Sequence, residues 1–258
     1  MRWKHFYIFR IEFLGFRFHG WQKQPDQITV QGMIDKTFKF IFQEKEFKTL
    51  AAGRTDGMVS ASDFAFELFV KEPINIDEFL ELFNFNLPTD IRLKSITETD
   101  AKFNIIQSPK IKTYAYHFAQ GKKQHPYSAP FIFCFKEELD VELMKKGAEF
   151  FKGEHNFNRL TCKPTEKTVL TRNILDSKIY ENTDKDSIHF PEESYVFQVK
   201  ASGFLRYQVR MMMASLLQLG SKEITWEEFV NYTEQPEGEQ ITSIAPKSGL
   251  RLEKIEFL

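Results

Sequence analysis

Residues 51–61 read Ala51-Ala52-Gly53-Arg54-Thr55-Asp56-Gly57-Met58-Val59-Ser60-Ala61 and are the most informative stretch of the chain. They predict a glycine-flanked turn directly before a strand. An acid on such a turn can be presented to a ligand, and Arg54, two residues earlier, can bind a phosphate or brace the loop. The pattern alone also has a simpler interpretation, because aspartate in a glycine-rich turn usually serves the turn itself.

The flanking segments predict strands and helices that alternate along the chain. Phenylalanine recurs at every second position in Phe64-Ala65-Phe66, which favours strands, and Thr29 is a candidate N-cap for a helix with Val30, Ile34 and Phe38 on one face. The predicted strands are 6–13, 62–70, 91–96, 110–119, 169–180, 194–202 and 249–257. The first predicted helix begins at 30, and the later ones span 76–85, 139–151, 204–219 and 225–233. We therefore expect two α+β lobes, an N-terminal lobe at 1–105 that carries Asp56 and a C-terminal lobe at 106–258.

Composition limits the possible partners. The 258 residues carry a net charge of −1 with a sequence pI of about 6.6, which counts against a protein that coats nucleic acid non-specifically but allows a local basic cleft. The two cysteines are not in CxxC spacing and the histidines are scattered, so neither a disulfide nor a metal site is expected. The chain shows no signal-peptide pattern and no apolar run long enough to span a membrane, so a cytoplasmic protein is expected.

A second segment reads Phe18-His19-Gly20-Trp21-Gln22-Lys23-Gln24-Pro25. A loop that combines aromatic and basic side chains can stack on bases and contact phosphates. The alternative is an ordinary loop held in place by a buried tryptophan. On its own, this segment does not decide between the two.

The motifs gain weight when they are read together and in order. The chain resembles the tRNA pseudouridine synthase A family, whose members carry a tract like FHGWQ-x-QP, then TVQG, then GRTD. The corresponding segments here are Phe18–Gln22, Thr29–Gly32, Gly53–Asp56, then Leu87-Pro88-Thr89-Asp90-Ile91, Tyr114-Ala115-Tyr116, Gly153–Phe157, Phe204-Leu205, Val209-Arg210, Ala245-Pro246 and Gly249-Leu250. The matches extend over nearly the whole chain.

The resemblance implies a fold and an activity. The fold is the pseudouridine synthase fold, α+β, with two lobes, a central mixed and mainly antiparallel sheet, and an RNA-binding cleft. The activity is the isomerisation of uridine to pseudouridine in the anticodon stem-loop of tRNA: the N-glycosidic bond is cleaved and the uracil is rejoined through carbon. The resemblance also implies a homodimer. The chemistry needs no cofactor, because it involves no net oxidation or reduction and activates no water.

The resemblance further implies a role for each site residue. Asp56 matches the catalytic aspartate, which acts as a nucleophile or as a base. Arg210 matches the arginine that pairs with it and opposes the rise in pKa that burial would cause, although a solvated surface arginine is the simpler interpretation. Tyr114 matches the tyrosine that stacks on the uracil, and a strand aromatic packed in the core is the alternative. Leu250 matches a leucine near the same pocket, where a plain core role is equally plausible. The candidate RNA contacts are Arg17, His19, Lys23, Arg54 and Lys112.

The chain departs from the family pattern after the aspartate. The family usually continues A-G-V-H-A, whereas this chain has Gly57-Met58-Val59-Ser60-Ala61, so the glycine has moved one place and Ser60 replaces the histidine. These changes affect residues that would brace the loop or contact RNA. A catalytically silent RNA-binding protein on the same scaffold is therefore the second hypothesis. A hydrolase that uses Asp56 as acid or base is a weaker third, because it needs a second acid and the nearest, Asp63, lies on the following strand.

Overall fold

The computed structural model describes residues 3–183 and 190–258. Within these ranges the chain forms strands and α-helices that alternate for most of its length. In chain order they are β1 (His5–Phe13), α1 (Val30–Phe42), β2 (Phe47–Ala51), β3 (Ser60–Val70), α2 (Ile76–Asn86), β4 (Ile91–Thr99), β5 (Lys110–Ala119), β6 (Phe133–Cys134), α3 (Val141–Phe150), β7 (Gly153–Asn156), β8 (Thr171–Glu181), β9 (Tyr195–Ala201), α4 (Gln208–Gly220), α5 (Trp226–Glu234) and β10 (Leu250–Phe257).

The chain divides into two compact units. Unit 1 consists of the chain up to Lys110 together with Leu252–Leu258, and unit 2 consists of Ile111–Arg251. The sequence-based division at residue 105 placed the last strand in the second lobe. Most of β10 instead belongs to unit 1, because it lies beside β3.

The sheet of unit 1 has the strand order β4-β1-β3-β10, and β2 also pairs with β3. β1 runs antiparallel to both β3 and β4, and β2 runs antiparallel to β3. The turn that contains Asp56 joins β2 to β3, so the ends of two paired strands fix both of its sides.

Phenylalanine rings form the core between this sheet and the helices α1 and α2. Phe9 and Phe66 stack with ring centroids 5.0 Å apart, and the Phe38 ring of α1 lies 4.5 Å from that of Phe83 in α2. All four are fully buried. The predicted N-cap of α1 is confirmed, since the Thr29 side chain accepts a hydrogen bond from the Gly32 N–H at 3.2 Å.

Unit 2 contains antiparallel pairs β5–β9, β9–β8 and β8–β7, and the short β6 runs parallel to β5. The helix α4 is almost entirely buried, which explains its run of methionine and leucine residues. It packs closely on α3, because a Cβ added at Gly147 would lie 2.9 Å from the side chains of Leu216 and Leu219.

The predicted α+β class and mainly antiparallel pairing are confirmed in each unit. The predicted helix 204–219 starts too early, since α4 begins at Gln208, and it ends one residue too soon, since α4 extends to Gly220. β2, β6 and β7 were not predicted, because they are short and lack a clear apolar alternation. Among the described residues, no helix has the length and apolar character needed to cross a membrane.

Candidate active site

Asp56 lies at the start of a tight turn between β2 and β3, and its side chain is half-buried. Its carbonyl accepts a hydrogen bond from the Val59 N–H at 3.3 Å, which closes the turn. Met58, the third residue of the turn, has a φ of 65°. It therefore adopts the left-handed conformation that glycine takes most readily, and that the family pattern supplies with glycine at this position.

The loop at 14–29 packs directly against this turn. The Trp21 N–H donates to the Thr55 carbonyl at 3.2 Å, and the Met58 N–H donates to the Phe18 carbonyl at 2.9 Å. A Cβ added at Gly20, whose φ is 91°, would lie 2.6 Å from the Thr55 oxygen. The two sequence motifs, FHGWQ and GRTD, are thus two sides of one hydrogen-bonded structure.

Two aromatic side chains of this loop, those of Phe18 and Trp21, face the core and not solvent. Phe18 and Trp21 are each 1% exposed, and the Trp21 ring stacks on Phe64 with centroids 4.2 Å apart. The interpretation of a loop held by a buried tryptophan is therefore confirmed for these two rings. Base stacking by them is excluded, and their role is to fix the loop that carries His19 and Lys23.

Ser60 occupies the position where the family has histidine, and it braces the same loop. Its hydroxyl accepts a hydrogen bond from the buried Gly15 N–H at 2.9 Å. A side chain at Gly15 has no room, because its Cβ would lie 2.1 Å from the Val59 carbonyl oxygen. The departure at residue 60 thus leaves this backbone group satisfied and the loop held in place.

Two of the predicted RNA-contacting cations form ion pairs within unit 1. Arg17 binds the Asp90 carboxylate through two nitrogens, one of them at 2.8 Å, and this bond raises the pKa of the guanidinium. The Lys23 ammonium lies 2.8 Å from Asp35. Sequence reasoning missed both acidic partners, although Asp90 stands in the quoted Leu87–Ile91 motif. His19 and Arg54 are exposed near the Asp56 turn.

Tyr114 lies on β5 in unit 2, opposite Val199 of β9, and is half-buried. Its ring meets that of Phe204 edge to face, with centroids 5.4 Å apart and an interplanar angle of 86°. This contact holds the ring orientation from one side. Lys112, two residues earlier on the same strand, is also half-buried.

Arg210 is held inside unit 2. Only 6% of the residue is exposed, so the alternative of a solvated surface arginine is wrong. Its Nε–H donates to the Ala245 carbonyl at 2.8 Å, and the Ala245 N–H donates to the Arg210 carbonyl at 3.2 Å. Its guanidinium carbon lies 5.2 Å from the centroid of the Tyr207 ring. Sequence reasoning missed Tyr207, although its spacing of three residues from Arg210 permits a contact on one helix.

The segment after Ala245 packs on β5. The Tyr116 hydroxyl donates to the Pro246 carbonyl at 2.9 Å, and burial raises the pKa of this phenol, while the Arg210 charge opposes the rise. A Cβ added at Gly249 would lie 2.7 Å from the His117 carbonyl oxygen. Leu250 follows and is buried. The AP-x-x-GL motif therefore packs closely against the strand that carries Tyr114.

The structure thus brings the predicted residues together in two groups, each within its own unit. In unit 1, the Asp56 turn joins the loop of His19 and Lys23, with Arg54 on the turn itself. In unit 2, a helix start and the 245–250 segment surround the strand of Tyr114 and hold Arg210. Among residues 3–183 and 190–258, no group of three or more histidine, cysteine, aspartate or glutamate side chains is placed to hold a metal ion.

Comparison with known proteins gives a family-model match to the C-terminal part of the chain and matches to relatives over nearly its whole length. Residues 148–257 match the family model described as tRNA pseudouridine synthase. The chain is 30% identical over 253 residues to "tRNA pseudouridine synthase A" of Dictyoglomus thermophilum, covering 96% of this chain and 97% of that protein. It is 29% identical over 249 residues to the protein of the same name from Aquifex aeolicus, covering 96% and 98%. It is 27% identical over 255 residues to "tRNA pseudouridine synthase A 2" of Bacillus cereus, covering 98% and 100%.

Proposed function

Because this chain belongs to the tRNA pseudouridine synthase A family, we propose that it isomerises uridine to pseudouridine in tRNA, at positions of the anticodon stem-loop. The observation that carries the proposal is the 30% identity to a relative over 96% of this chain and 97% of that relative. A match of this extent includes both the Asp56 turn and the helix that carries Arg210. The reaction breaks the N1–C1′ bond of uridine and forms a C5–C1′ bond, so one proton leaves carbon and nitrogen regains one.

We assign Asp56 the role of catalytic carboxylate. The half-buried side chain stands on a turn that is closed by the backbone hydrogen bond from Val59 to Asp56 and braced by the neighbouring loop. A carboxylate on so constrained a turn meets its substrate without first having to be ordered. This supports the assignment, which the sequence motif Gly53–Asp56 first suggested.

We assign Tyr114 and Arg210 to the same reaction. The substrate uridine must leave its stack, and an aromatic ring such as that of Tyr114, held edge to face by Phe204, recovers part of this energy at roughly 1–3 kcal/mol per stacked base. Its hydroxyl can help to move the proton released from carbon. Arg210 supplies a buried guanidinium whose Nε is fixed on the Ala245 carbonyl.

We further propose that the tRNA is held by His19 and Arg54, with contributions from Arg17, Lys23, Lys112 and Leu250. His19 and Arg54 are the strongest candidates in unit 1, because the charges of Arg17 and Lys23 are already opposed by aspartates. The family resemblance also supports a homodimer in the cytoplasm, acting without a cofactor. Sedimentation of the purified protein tests the oligomeric state directly.

The test of catalysis is Asp56→Asn, which keeps the shape of the side chain and removes its charge. We expect pseudouridine formation in tRNA transcripts to fall below detection. tRNA binding in a gel-shift assay should stay within about threefold, since only one half-buried charge is lost and phosphate contacts dominate affinity. Asp26→Asn is the matched control, because Asp26 is an exposed residue of the neighbouring loop and asparagine tolerates its φ of 56°.

Two results would contradict the proposal. If the unmodified protein bound tRNA but formed no pseudouridine on any transcript, it would be a silent RNA-binding protein on this scaffold. If Asp56→Asn kept full activity, another group would be the catalytic nucleophile or base. Mapping pseudouridine in RNA from cells with and without the gene identifies the modified positions, and sites outside the anticodon stem-loop would overturn that part of the proposal.

A further inference from the structure

Tyr207 stands at the N-cap of α4 in a conformation that tyrosine seldom adopts. Its φ is 61° and its ψ is 6°, in the left-handed region, and its side chain makes no capping hydrogen bond. Glycine and asparagine take this conformation more easily, and serine, threonine, aspartate or asparagine would cap the helix better. Neither the backbone nor the helix start therefore explains a tyrosine here.

The surrounding backbone is held without the Tyr207 side chain. The carbonyl of Arg206 accepts hydrogen bonds from the Thr161 hydroxyl and the Cys162 N–H, both at 3.1 Å. The Gln208 side chain accepts from the Leu205 N–H at 2.8 Å. These bonds fix the turn on both sides of residue 207. The turn would thus keep its shape with glycine at this position, and the ring is the part whose presence needs a reason.

The ring contacts Arg210, one turn further along the helix. The guanidinium carbon lies 5.2 Å from the ring centroid, inside the range of a cation–π contact. The Nε–H of the same guanidinium is fixed on the Ala245 carbonyl at 2.8 Å. Because a guanidinium is planar and its donors form a rigid fork, a bond at Nε and a ring contact together fix where the terminal N–H groups point.

We propose that Tyr207 is a positioning residue that orients the Arg210 guanidinium for uridine isomerisation. The inference rests on the role of Arg210 under the proposed function. An arginine side chain has several rotatable bonds, and burial alone does not select one direction for its end group. The Tyr207 ring and the Nε bond to Ala245 both restrict that direction, and the tyrosine does so in an unfavourable backbone conformation. Strained residues that the surroundings hold in place are typical of active sites.

The ring also contacts a second cation, which defines the competing explanation. Arg206 is exposed, and its guanidinium carbon lies 5.1 Å from the Tyr207 centroid. If the ring served to hold Arg206 against RNA, its loss would weaken tRNA binding and raise KM. Positioning of Arg210 predicts a loss in kcat instead, because only the reacting geometry changes.

The experiment compares Tyr207→Phe, which keeps the ring, with Tyr207→Gly, which removes it and relieves the backbone. We expect Tyr207→Phe to keep kcat within about threefold, because the ring face is retained. Tyr207→Gly should lower kcat about 10- to 100-fold with little change in KM, as expected for a misplaced group in the active site. Lys222→Gly is the matched control for the backbone, since Lys222 lies just beyond the other end of α4 with a φ of 63°. Arg206→Gln controls for the second cation.

A second measurement is independent of activity. Urea unfolding of Tyr207→Gly, Arg210→Gln and the double variant forms a double-mutant cycle. We expect Tyr207→Gly to shift the midpoint by a different amount when Arg210 is absent. Additive shifts would overturn the inference whatever the activity, as would full kcat in Tyr207→Gly or a purely KM effect that Arg206→Gln reproduces. An unmodified protein inactive on tRNA would overturn the proposed function instead, while the cycle still decides whether the ring holds the guanidinium.

Discussion

Met58 shows how a single displaced glycine alters the turn next to the proposed catalytic acid. The turn requires a positive φ at its third residue, and Met58 supplies it with a φ of 65°. Gly57, one position earlier, does not adopt a positive φ. A Cβ added there would lie 3.5 Å from the His19 Cα, an ordinary contact. The chain thus has its glycine where none is needed and a bulky residue where glycine fits best.

Moving the glycine from position 57 to position 58 should stabilise the protein. The double variant Gly57→Ala/Met58→Gly relieves left-handed strain of about 1–2 kcal/mol, and it keeps one glycine so that the entropy of the unfolded chain hardly changes. We expect the free energy of unfolding to rise by about 1 kcal/mol, measured by urea denaturation, with part of the strain relief offset by the half-buried methionine side chain. Gly20→Ala is the opposite control and should destabilise, because Gly20 has a φ of 91° and its Cβ would meet the Thr55 carbonyl. A loss of stability in the double variant would contradict this account.

At the scale of elements, β5 carries both a half-buried residue of the proposed site and a buried histidine. Tyr114, at the middle of the strand, is half-buried. His117, further along, is 5% exposed, and neither of its ring nitrogens has a hydrogen-bond partner among the described residues. Burial lowers the pKa of His117 to about 3, and the charge of Arg251 adds to the effect. The folded protein therefore keeps this imidazole neutral.

His117 should make unit 2 sensitive to acid. Above pH 6.5 the imidazole is neutral in both states and contributes no pH dependence; as the pH falls toward 3, the unfolded state binds a proton that the folded state does not. Stability should therefore fall by about 2 kcal/mol between pH 7 and pH 5 through this group. Relative to the unmodified protein, the free energy of unfolding of His117→Leu should therefore rise by about 2 kcal/mol as the pH falls from 7 to 5.

The control for this experiment is Val196→Ala, which removes no titratable group; Val196 is buried on β9, opposite His117 in the sheet. Its difference from the unmodified protein should stay nearly constant between pH 7 and pH 5. A constant difference for His117→Leu as well would show that this imidazole does not stay neutral in the folded protein.

The predictability of elements follows from their apolar periodicity. β1, β3 and β5 alternate clearly, and their predicted bounds agree with the structure to within two residues. β7, with the sequence Gly-Glu-His-Asn, carries no such alternation and is a strand only because β8 pairs with it. The early start predicted for α4 has a different cause. Residues 204–207 have helical periodicity, but Tyr207 takes the left-handed conformation, and the helix begins after it.

At the scale of the whole molecule, the motifs suggest a candidate site more sharply than residue chemistry does. The motif order assigns roles to Asp56, Tyr114 and Arg210, which stay predictions, whereas composition alone favoured simpler interpretations of each. Partners distant in sequence were missed. Asp90 binds Arg17 across 73 positions of the chain, and Glu67, between the apolar Phe66 and Leu68 of β3, is fully buried and accepts a hydrogen bond from the Ile105 N–H. No local pattern specifies such pairings, because they depend on the tertiary arrangement of each unit.

The last strand, β10, belongs mostly to the unit in which the chain begins, which its position in the sequence does not indicate. The chain leaves unit 1 after Lys110 and returns to it at Leu252, so unit 2 is inserted between two parts of unit 1. Within β10, Ile255 is fully buried, and its carbonyl accepts a hydrogen bond from Arg10 at 2.6 Å. The end of the chain should therefore stabilise the unit in which the chain begins.

Ile255→Ala tests this, with an expected loss of about 2–5 kcal/mol from the cavity it creates. Tryptophan fluorescence separates the units, since Trp21 lies in unit 1 and Trp226 in unit 2. In backgrounds that keep only Trp21 or only Trp226 of the three tryptophans, Ile255→Ala should shift the Trp21 unfolding transition by more than that of Trp226. Ile174→Ala is the matched control, because Ile174 is 1% exposed on β8 of unit 2, and it should shift the Trp226 transition more. If Ile255→Ala acted mainly on the Trp226 transition, β10 would belong energetically to the second lobe, as its position in the sequence first suggests.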